Sequence, residues 1–386
     1  MADPLFRSLV QQMQSWFSQA KAVDQARKLL ELPQSVETQV LQHLQHSPSP
    51  RLYQTTIQDA ITEAVQRWQE NLDAPNHLII LGNPVEPIAK ILEDSWQSWQ
   101  NPILPPQRLL PTLSRPHTPQ QIYSELQQAT QPYQTQSDDA AADADTLENR
   151  QTLLVIPCLE QCFLRCIGGW DGIEYFRDVA LANQNCFWVM GCNHWAWDFL
   201  DFVCQISAYF DLVHPLPDLE GEHLQDWLEA IAPPTILTAL SLDSEEDSSS
   251  TYWKTLSNQA SGISTIAAHL WTQSLRTAAD EEQPPFSLDA DPPLPLQQIS
   301  PFLPSLPSLT PKDRYILHAV LIHGRITRHH LALSLGESET IIQSYVQVLL
   351  RKGLLQQQKG QLLVCASHYA KLKTELANNN FFVGED

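Results

Sequence analysis

A chain of 386 residues with 43% hydrophobic content is long enough for two or three packed domains. Its 44 Asp and Glu against 23 Lys and Arg give a formal net charge of −21, which opposes polyphosphate partners and anionic lipid over most of the surface. No apolar run reaches bilayer-spanning length, and residues 1–7 carry Asp3 and Pro4 where a leader would be basic, so a cytoplasmic protein is expected.

Residues 4–22 set Leu5, Phe6, Leu9, Val10, Met13, Trp16, Phe17 and Ala20 at helical spacing, which predicts an amphipathic helix. Its polar face lacks the Lys and Arg enrichment of membrane-surface helices, so packing against protein is favoured and peripheral membrane contact is not. Further helices are predicted over 25–46, interrupted near Pro33, and over 53–68, giving a helical N-terminal region at 1–75.

Three short apolar runs follow: residues 77–81, 153–156 and 186–190. All are short and mostly apolar, with β-branched or aromatic residues among them, so they read as buried parallel strands. The first runs into Gly82, Asn83 and Pro84 and a helical stretch at 88–99; the third runs into Gly191, Cys192 and Asn193 as turn residues. Strand, glycine turn, helix, then two more strands with helical connections resembles AAA-type ATPases of the signalling (STAND-like) group, with a lid and a winged helix appended. The resemblance is architectural over roughly residues 76 to 375. It implies an α/β fold with a P-loop NTPase-like parallel sheet core over 76–240.

The motifs for phosphate chemistry are eroded. A working phosphate loop needs glycines, a Lys and a hydroxyl for Mg²⁺. The aligned window is Gly82, Asn83, Pro84, Val85, Glu86, Pro87, Ile88 and Ala89. Only the first glycine matches: Pro87 removes an amide donor, Ile88 stands where Lys is required, and Ala89 has no oxygen for a metal. Lys90 lies two positions late, about 200° around a helix from the needed direction. The resemblance puts Glu160 at the family's catalytic Glu position and Asn193 at its polar sensor. Gly82, Glu160 and Asn193 are thus vestigial site positions, and no cofactor, metal or ATP hydrolysis is expected.

Other chemistry has no better support. The chain has no GxSxG elbow, no HExxH helix and no CxxC pair. Cys158, Cys162 and Cys166 are spaced by four and would form a buried stripe if that segment were helical. His194 reads as a hydrogen-bonded strand-end residue, and the aromatic stretch 195–210 reads as core. A strand at 211–213 and a helix at 219–231 complete the core.

The Pro-poor, acidic 134–149 segment has little to bury and predicts a disordered loop; Thr118 caps a helix over 119–131. Residues 243–251 form a second acidic break before lid helices at 251–278, with small residues from Gly262 and Arg276 near the end. Residues 284–311 hold nine of the 28 prolines, so 279–309 is expected to be an extended linker.

Thr310, Pro311 and Asp313 then open a helix. Helices at 311–323, 327–335 and 338–352, glycines 324, 336 and 353, and strands near 354–355 and 362–364 with Gly360 at the turn predict a winged helix-turn-helix over 310–376, followed by a tail at 377–386. Its third helix begins with Glu337 and Glu339, so DNA contact by Arg325, Arg328 and Lys359 is disfavoured against protein contact. The expected function is a non-catalytic scaffold or regulator binding an unnamed protein partner. The alternatives are a DNA-binding regulator and a nucleotide-binding switch without turnover.

Overall fold

The computed structural model describes residues 29–100, 102–110, 114–133, 146–241, 249–278, 286–290 and 293–383. The predicted helix at 4–22 and the acidic stretches 134–145 and 242–248 lie outside the described residues.

The described chain opens with β1 (Leu29–Glu31), α1 (Gln34–His46) and α2 (Arg51–Glu70). Helix α1 buries Val36, Val40 and Leu44 at four-residue spacing. Helix α2 buries Tyr53, Ile57, Ile61 and Trp68 on one stripe, the pattern that makes a helix face a core. The helix expected over 25–46 is corrected here, because residues 29–31 are a strand paired antiparallel with residues 276–278. Pro33 keeps the preceding residue out of the helical region, so the helix starts only after it.

The core follows as β2 (His77–Gly82), α3 (Ile88–Ser98), β3 (Pro106–Arg108), α4 (Pro119–Thr130), β4 (Thr152–Ile156), α5 (Asp171–Ala182), β5 (Cys186–Asn193), α6 (His194–Cys204) and β6 (Val213–Pro215). The five strands lie in the order β3-β4-β5-β2-β6, and every pairing is parallel. Strand β2, first in the chain, therefore sits between β5 and β6, the arrangement of a P-loop NTPase-like core. Leu154, Phe187, Trp188 and Val189 are fully buried, as expected for strands covered on both faces.

Two boundaries differ from the sequence reading. Gly191, Cys192 and Asn193 belong to β5 and pair with Ile80, Leu81 and Gly82. The glycine keeps the strand in register past its crowded neighbours: a Cβ at Gly191 would lie 2.5 Å from the Pro157 carbonyl oxygen and 2.7 Å from Leu92. Strand β6 starts two residues later than expected, its register fixed by Ile79 opposite Val213.

Next come α7 (Gly221–Ile231), α8 (Pro234–Ser241), α9 (Ser249–Ala260), α10 (Ser264–Ser274), β7 (Leu275–Ala278) and β8 (Leu296–Gln298). Strands β1, β7 and β8 form a small antiparallel sheet. The proline-rich stretch is thus not wholly an extended linker: Leu296 is buried and pairs with Thr277. Pro295 stands just before β8 and the strand is at the sheet edge, where a missing N–H is tolerated. Arg276 lies in β7, with Glu31 at 3.7 Å, and not at the end of a helix.

The C-terminal part comprises α11 (Pro311–His323), β9 (Ile326–Thr327), α12 (Arg328–Leu335), α13 (Glu339–Arg351), β10 (Leu355–Gln358), β11 (Gln361–Val364) and α14 (Tyr369–Asn378). Thr310 and Asp313 form a reciprocal capping box at the start of α11. Strands pair antiparallel in the order β10-β11-β9, and Lys359 and Gly360, both at positive φ, make the tight turn between β10 and β11. Helix α11 is buried almost all round, from Ile316 to His323, because it packs on its own unit on one side and on α6 of the core on the other.

Candidate functional site

The carboxyl ends of parallel strands are where an open α/β sheet binds ligands. In this chain that edge is formed by the loop after β2, the turn after β4 and the end of β5.

The loop 83–87 is closed on itself. Val85 N–H donates to Asn83 Oδ1 at 3.3 Å, Glu86 N–H to the Asn83 carbonyl at 2.9 Å and Ile88 N–H to the Glu86 carbonyl at 3.0 Å. Pro84 and Pro87 have no N–H to give. The donors that would cradle a phosphate are therefore spent within the loop. Ile88, the residue at the Lys position, folds back over the strand end: a Cβ on Gly82 would fall 1.8 Å from Ile88 Cδ1. Lys90 points away, its Nζ donating to the Ser47 carbonyl and to Asp94 Oδ2, both at 2.6 Å. His194 holds the strand end from the other side, with Nδ1 3.1 Å from the Gly82 carbonyl, which makes it the strand-end hydrogen-bonding residue the sequence suggested.

Glu86 has acquired its own partners. Its carboxylate accepts from Ser264 N–H at 2.7 Å, Ser264 Oγ at 2.8 Å, Thr265 Oγ1 at 2.7 Å and Tyr53 Oη at 3.1 Å. Ser264 and Thr265 open helix α10, so the carboxylate sits at the positive end of a helix dipole with unpaired N–H groups to satisfy. The same negative charge that would repel a phosphate thus joins the loop after β2 to the start of α10. Burial and the neighbouring Glu86 charge push the Tyr53 phenol well above its ordinary value, keeping it a neutral donor.

Glu160 lies in a 3₁₀ turn, Leu159–Gln161, three residues beyond the end of β4. It is 5% exposed, and burial raises its carboxyl above the usual range although Cys158 and Asn193 reach it. Its Oε2 has no hydrogen-bond partner among the described residues. The turn also settles the cysteine stripe: the segment from Cys158 to Cys166 is not an α-helix, and only Cys162 of the three is buried.

Asn193 is 1% exposed and has two structural tasks. Its Oδ1 accepts from Ala196 N–H at 2.9 Å, capping α6, and its Nδ2 donates to the Ile322 carbonyl at 3.2 Å. Sequence-matched Gly82, Glu160 and Asn193 do converge on one edge, but the end of α11 covers it. Gly324, at φ +60°, lies so close that an added Cβ would be 3.5 Å from both Asn193 Nδ2 and Glu160 Oε1 and 3.8 Å from the Pro84 carbonyl.

The residues that hold this cover were not singled out in the sequence. Gln161 Nε2 donates to the His323 and Arg325 carbonyls at 3.3 and 3.4 Å. Arg115, 6% exposed, donates to the Phe163 carbonyl at 2.8 Å, the Glu160 carbonyl at 2.5 Å and the Arg325 carbonyl at 3.4 Å. Burial lowers its guanidinium to about 10. His323 accepts from Arg165 N–H at 3.3 Å, and burial together with Arg115 holds its imidazole well below the ordinary value, hence neutral. Further out, His330 lies 2.8 Å from the Pro116 carbonyl, and His117 stacks on His329 at 3.9 Å between centroids. Arg115 sits in a proline-rich stretch with no helical or strand period, so nothing local marks it. Gly324 was visible only as a helix stop.

The fold and the strand-edge residues define a P-loop NTPase-like protein whose phosphate-loop region is packed with its own side chains. No family model and no curated protein matches the sequence. Among solved structures, the chain is similar to Cdc6p from Pyrobaculum aerophilum, at 12% identity and TM-score 0.32, covering 87% of this chain and 97% of that one. It is also similar to the ADP form of ORC2 from Aeropyrum pernix, at 12% identity and TM-score 0.31 over 83% and 92% of the two chains. A mutant RuvB from Thermotoga maritima matches at 14% identity and TM-score 0.29 over 82% and 93%. Among the described residues no helix is long and apolar enough to cross a membrane, and no cluster of His, Cys, Asp and Glu is arranged to hold a metal ion.

Proposed function

We propose that this protein is a non-catalytic, AAA-like P-loop ATPase homologue with a C-terminal winged helix, acting in the cytoplasm as a scaffold or regulator through contacts with other proteins. One observation carries the reading: Glu86, the phosphate-loop residue nearest to where a phosphate would sit, is bound through its carboxylate to Ser264, Thr265 and Tyr53. Nucleotide would have to displace a satisfied carboxylate, move Ile88 off Gly82 and expel Gly324 from beside Glu160 and Asn193. Each change breaks buried packing or hydrogen bonds before any phosphate contact forms.

The C-terminal unit supports the winged-helix assignment through the order of its helices α11, α12 and α13 and its β10–β11 hairpin. Its first helix, α11, is used against the core through the Asn193 and Gln161 contacts, so the unit serves as an internal docking module. Calorimetric titration of the full chain with Mg·ATP is the test. Binding weaker than millimolar, or none, is the expected result, and micromolar affinity would replace this reading with that of a nucleotide-binding switch.

A further inference from the structure

A groove of about 450 Å³ opens between α6, α11 and residues 165–170. Trp170 and Phe199 line it, and three large apolar side chains stand at its rim with their surface in water: Ile167 is 98% exposed, Phe202 83% and Phe382 55%. Single exposed apolar residues are ordinary, but three around one apolar hollow are the mark of a surface that is covered in use. On its aromatic pattern Phe202 is expected in the core with the rest of the helix. It stands exposed near the C-terminal end of α6, two turns along the helix from the buried Trp195.

The groove carries one charge, and it is positive. Arg165 Nη1 donates to His318 Nδ1 at 3.2 Å, while His318 Nε2 donates to the Phe382 carbonyl at 2.7 Å. That pair of bonds fixes a neutral imidazole, with its lone pair toward the guanidinium. No carboxylate among the described residues pairs with Arg165. On a chain with a net charge of −21, an unpaired guanidinium set in an apolar hollow selects for one chemistry, an acidic group carried on an apolar surface. The lining comes from the 165–170 loop, two helices and the C-terminal residues; no strand edge borders it, so a partner cannot add as a β-strand.

We propose that this groove receives an amphipathic helix of a partner protein, its apolar face covering Ile167, Phe202 and Phe382 and an Asp or Glu of the same helix pairing with Arg165. The inference rests on the reading of the chain as a scaffold and names the class of partner it holds. Charge complementarity makes it directional: an acidic helix is accepted and a basic one is rejected.

The test uses the full chain and three fluorescein-labelled synthetic peptides of about sixteen residues, long enough to form a helix on binding. Each has Leu and Phe at i, i+3, i+4 and i+7, and they differ at one flanking position, which is Glu, Gln or Lys. Fluorescence anisotropy is expected to rank them Glu, Gln, Lys, with at least about tenfold between the first and last. Phe202→Ser, at an exposed site that leaves the fold intact by circular dichroism, weakens the Glu peptide about tenfold. Arg165→Glu reverses the order of the peptides. Failure of all three to bind, binding without charge preference, or no effect of Phe202→Ser overturns the proposal. So does a dimer in light scattering that Phe202→Ser dissociates, which assigns the groove to a second copy. A tenfold gain in peptide affinity on replacing Leu9 and Trp16 by Ser overturns it too, in favour of the chain's own N-terminal segment. Mg·ATP calorimetry on the same samples separates the two failures, since ATP binding defeats the scaffold reading whatever the peptides do.

Discussion

Glu86 shows how one side chain can change the meaning of a loop. In water it would be an ordinary carboxylate; at the start of α10 it satisfies the Ser264 N–H and three hydroxyls and is 8% exposed. Glu86→Ala leaves the Ser264 amide buried without an acceptor and the Tyr53 hydroxyl with only the Gly262 carbonyl at 3.4 Å, and the expected loss in unfolding free energy is about 3 kcal/mol. Glu86→Gln keeps one acceptor oxygen and should lose roughly half as much. Urea denaturation of the three proteins checks this, and equal stability of wild type and Glu86→Ala would show that the carboxylate contributes nothing to joining the β2–α3 loop to α10.

Between strand and helix, the β2–α3 connection is held by shape. Gly82 is required because Ile88 occupies the space its Cβ would need, 1.8 Å from Cδ1 and 2.9 Å from Cγ1. Gly82→Ala is expected to cost about 1–3 kcal/mol through overpacking, and combining it with Ile88→Val should recover part of that loss. Additive effects in that double-mutant cycle would mean that the two residues do not compete for one space. Helix α13 supports a second expectation at this scale. Glu337 pairs with Lys312, and Glu339 Oε1 lies 2.7 Å from His329 Nδ1, so the acids at its start are built into the unit. A duplex would meet those acids where it needs cations. The full chain is therefore expected to show no submicromolar duplex binding near physiological salt. Submicromolar binding that is lost with Arg325→Ala and Arg328→Ala would favour the DNA-binding alternative.

Across the whole molecule, buried imidazoles couple folding to pH. His269, His318 and His330 are each lowered to about 4, chiefly by burial, and burial lowers His323 in the same direction. The unfolded chain takes up these protons near pH 6.5 while the folded chain does not. Their contribution is therefore fully present above about pH 6.5 and is lost as pH falls toward 4. Glu160 and Glu37, whose carboxyls are raised by burial, act in the opposite sense and regain stability as pH falls, but they are fewer. The melting temperature should decline from pH 7 to pH 4.5, and His269→Leu should flatten part of that decline. Since His318, His323 and His330 lie where the C-terminal unit meets the core or its own tail, the same decline should appear first as loosening of that unit in hydrogen exchange.

The sequence by itself determined the strands at 77–81, 153–156 and 186–190, the helices beginning after Thr118 and Thr310, and the hairpin at Gly360, because each is written in neighbours: an apolar run, a capping residue, a residue able to take positive φ. It also determined that Gly82, Glu160 and Asn193 stand at strand ends, which parallel pairing then brings to one edge. Tertiary structure alone decided what fills that edge. Arg115 reaches the Arg325 carbonyl across 210 positions and Glu86 reaches Ser264 across 178, and no local period encodes partners so distant. The same holds for residues 29–31 and 296–298: three-residue strands have too little pattern to announce themselves and form because β7 offers them an edge on either side. Phe202 and Trp195 share one helix and, seven residues apart, one stripe of it, yet one is in water and the other in the core, since the Tyr369 and His318 rings that cover Trp195 come from distant parts of the chain.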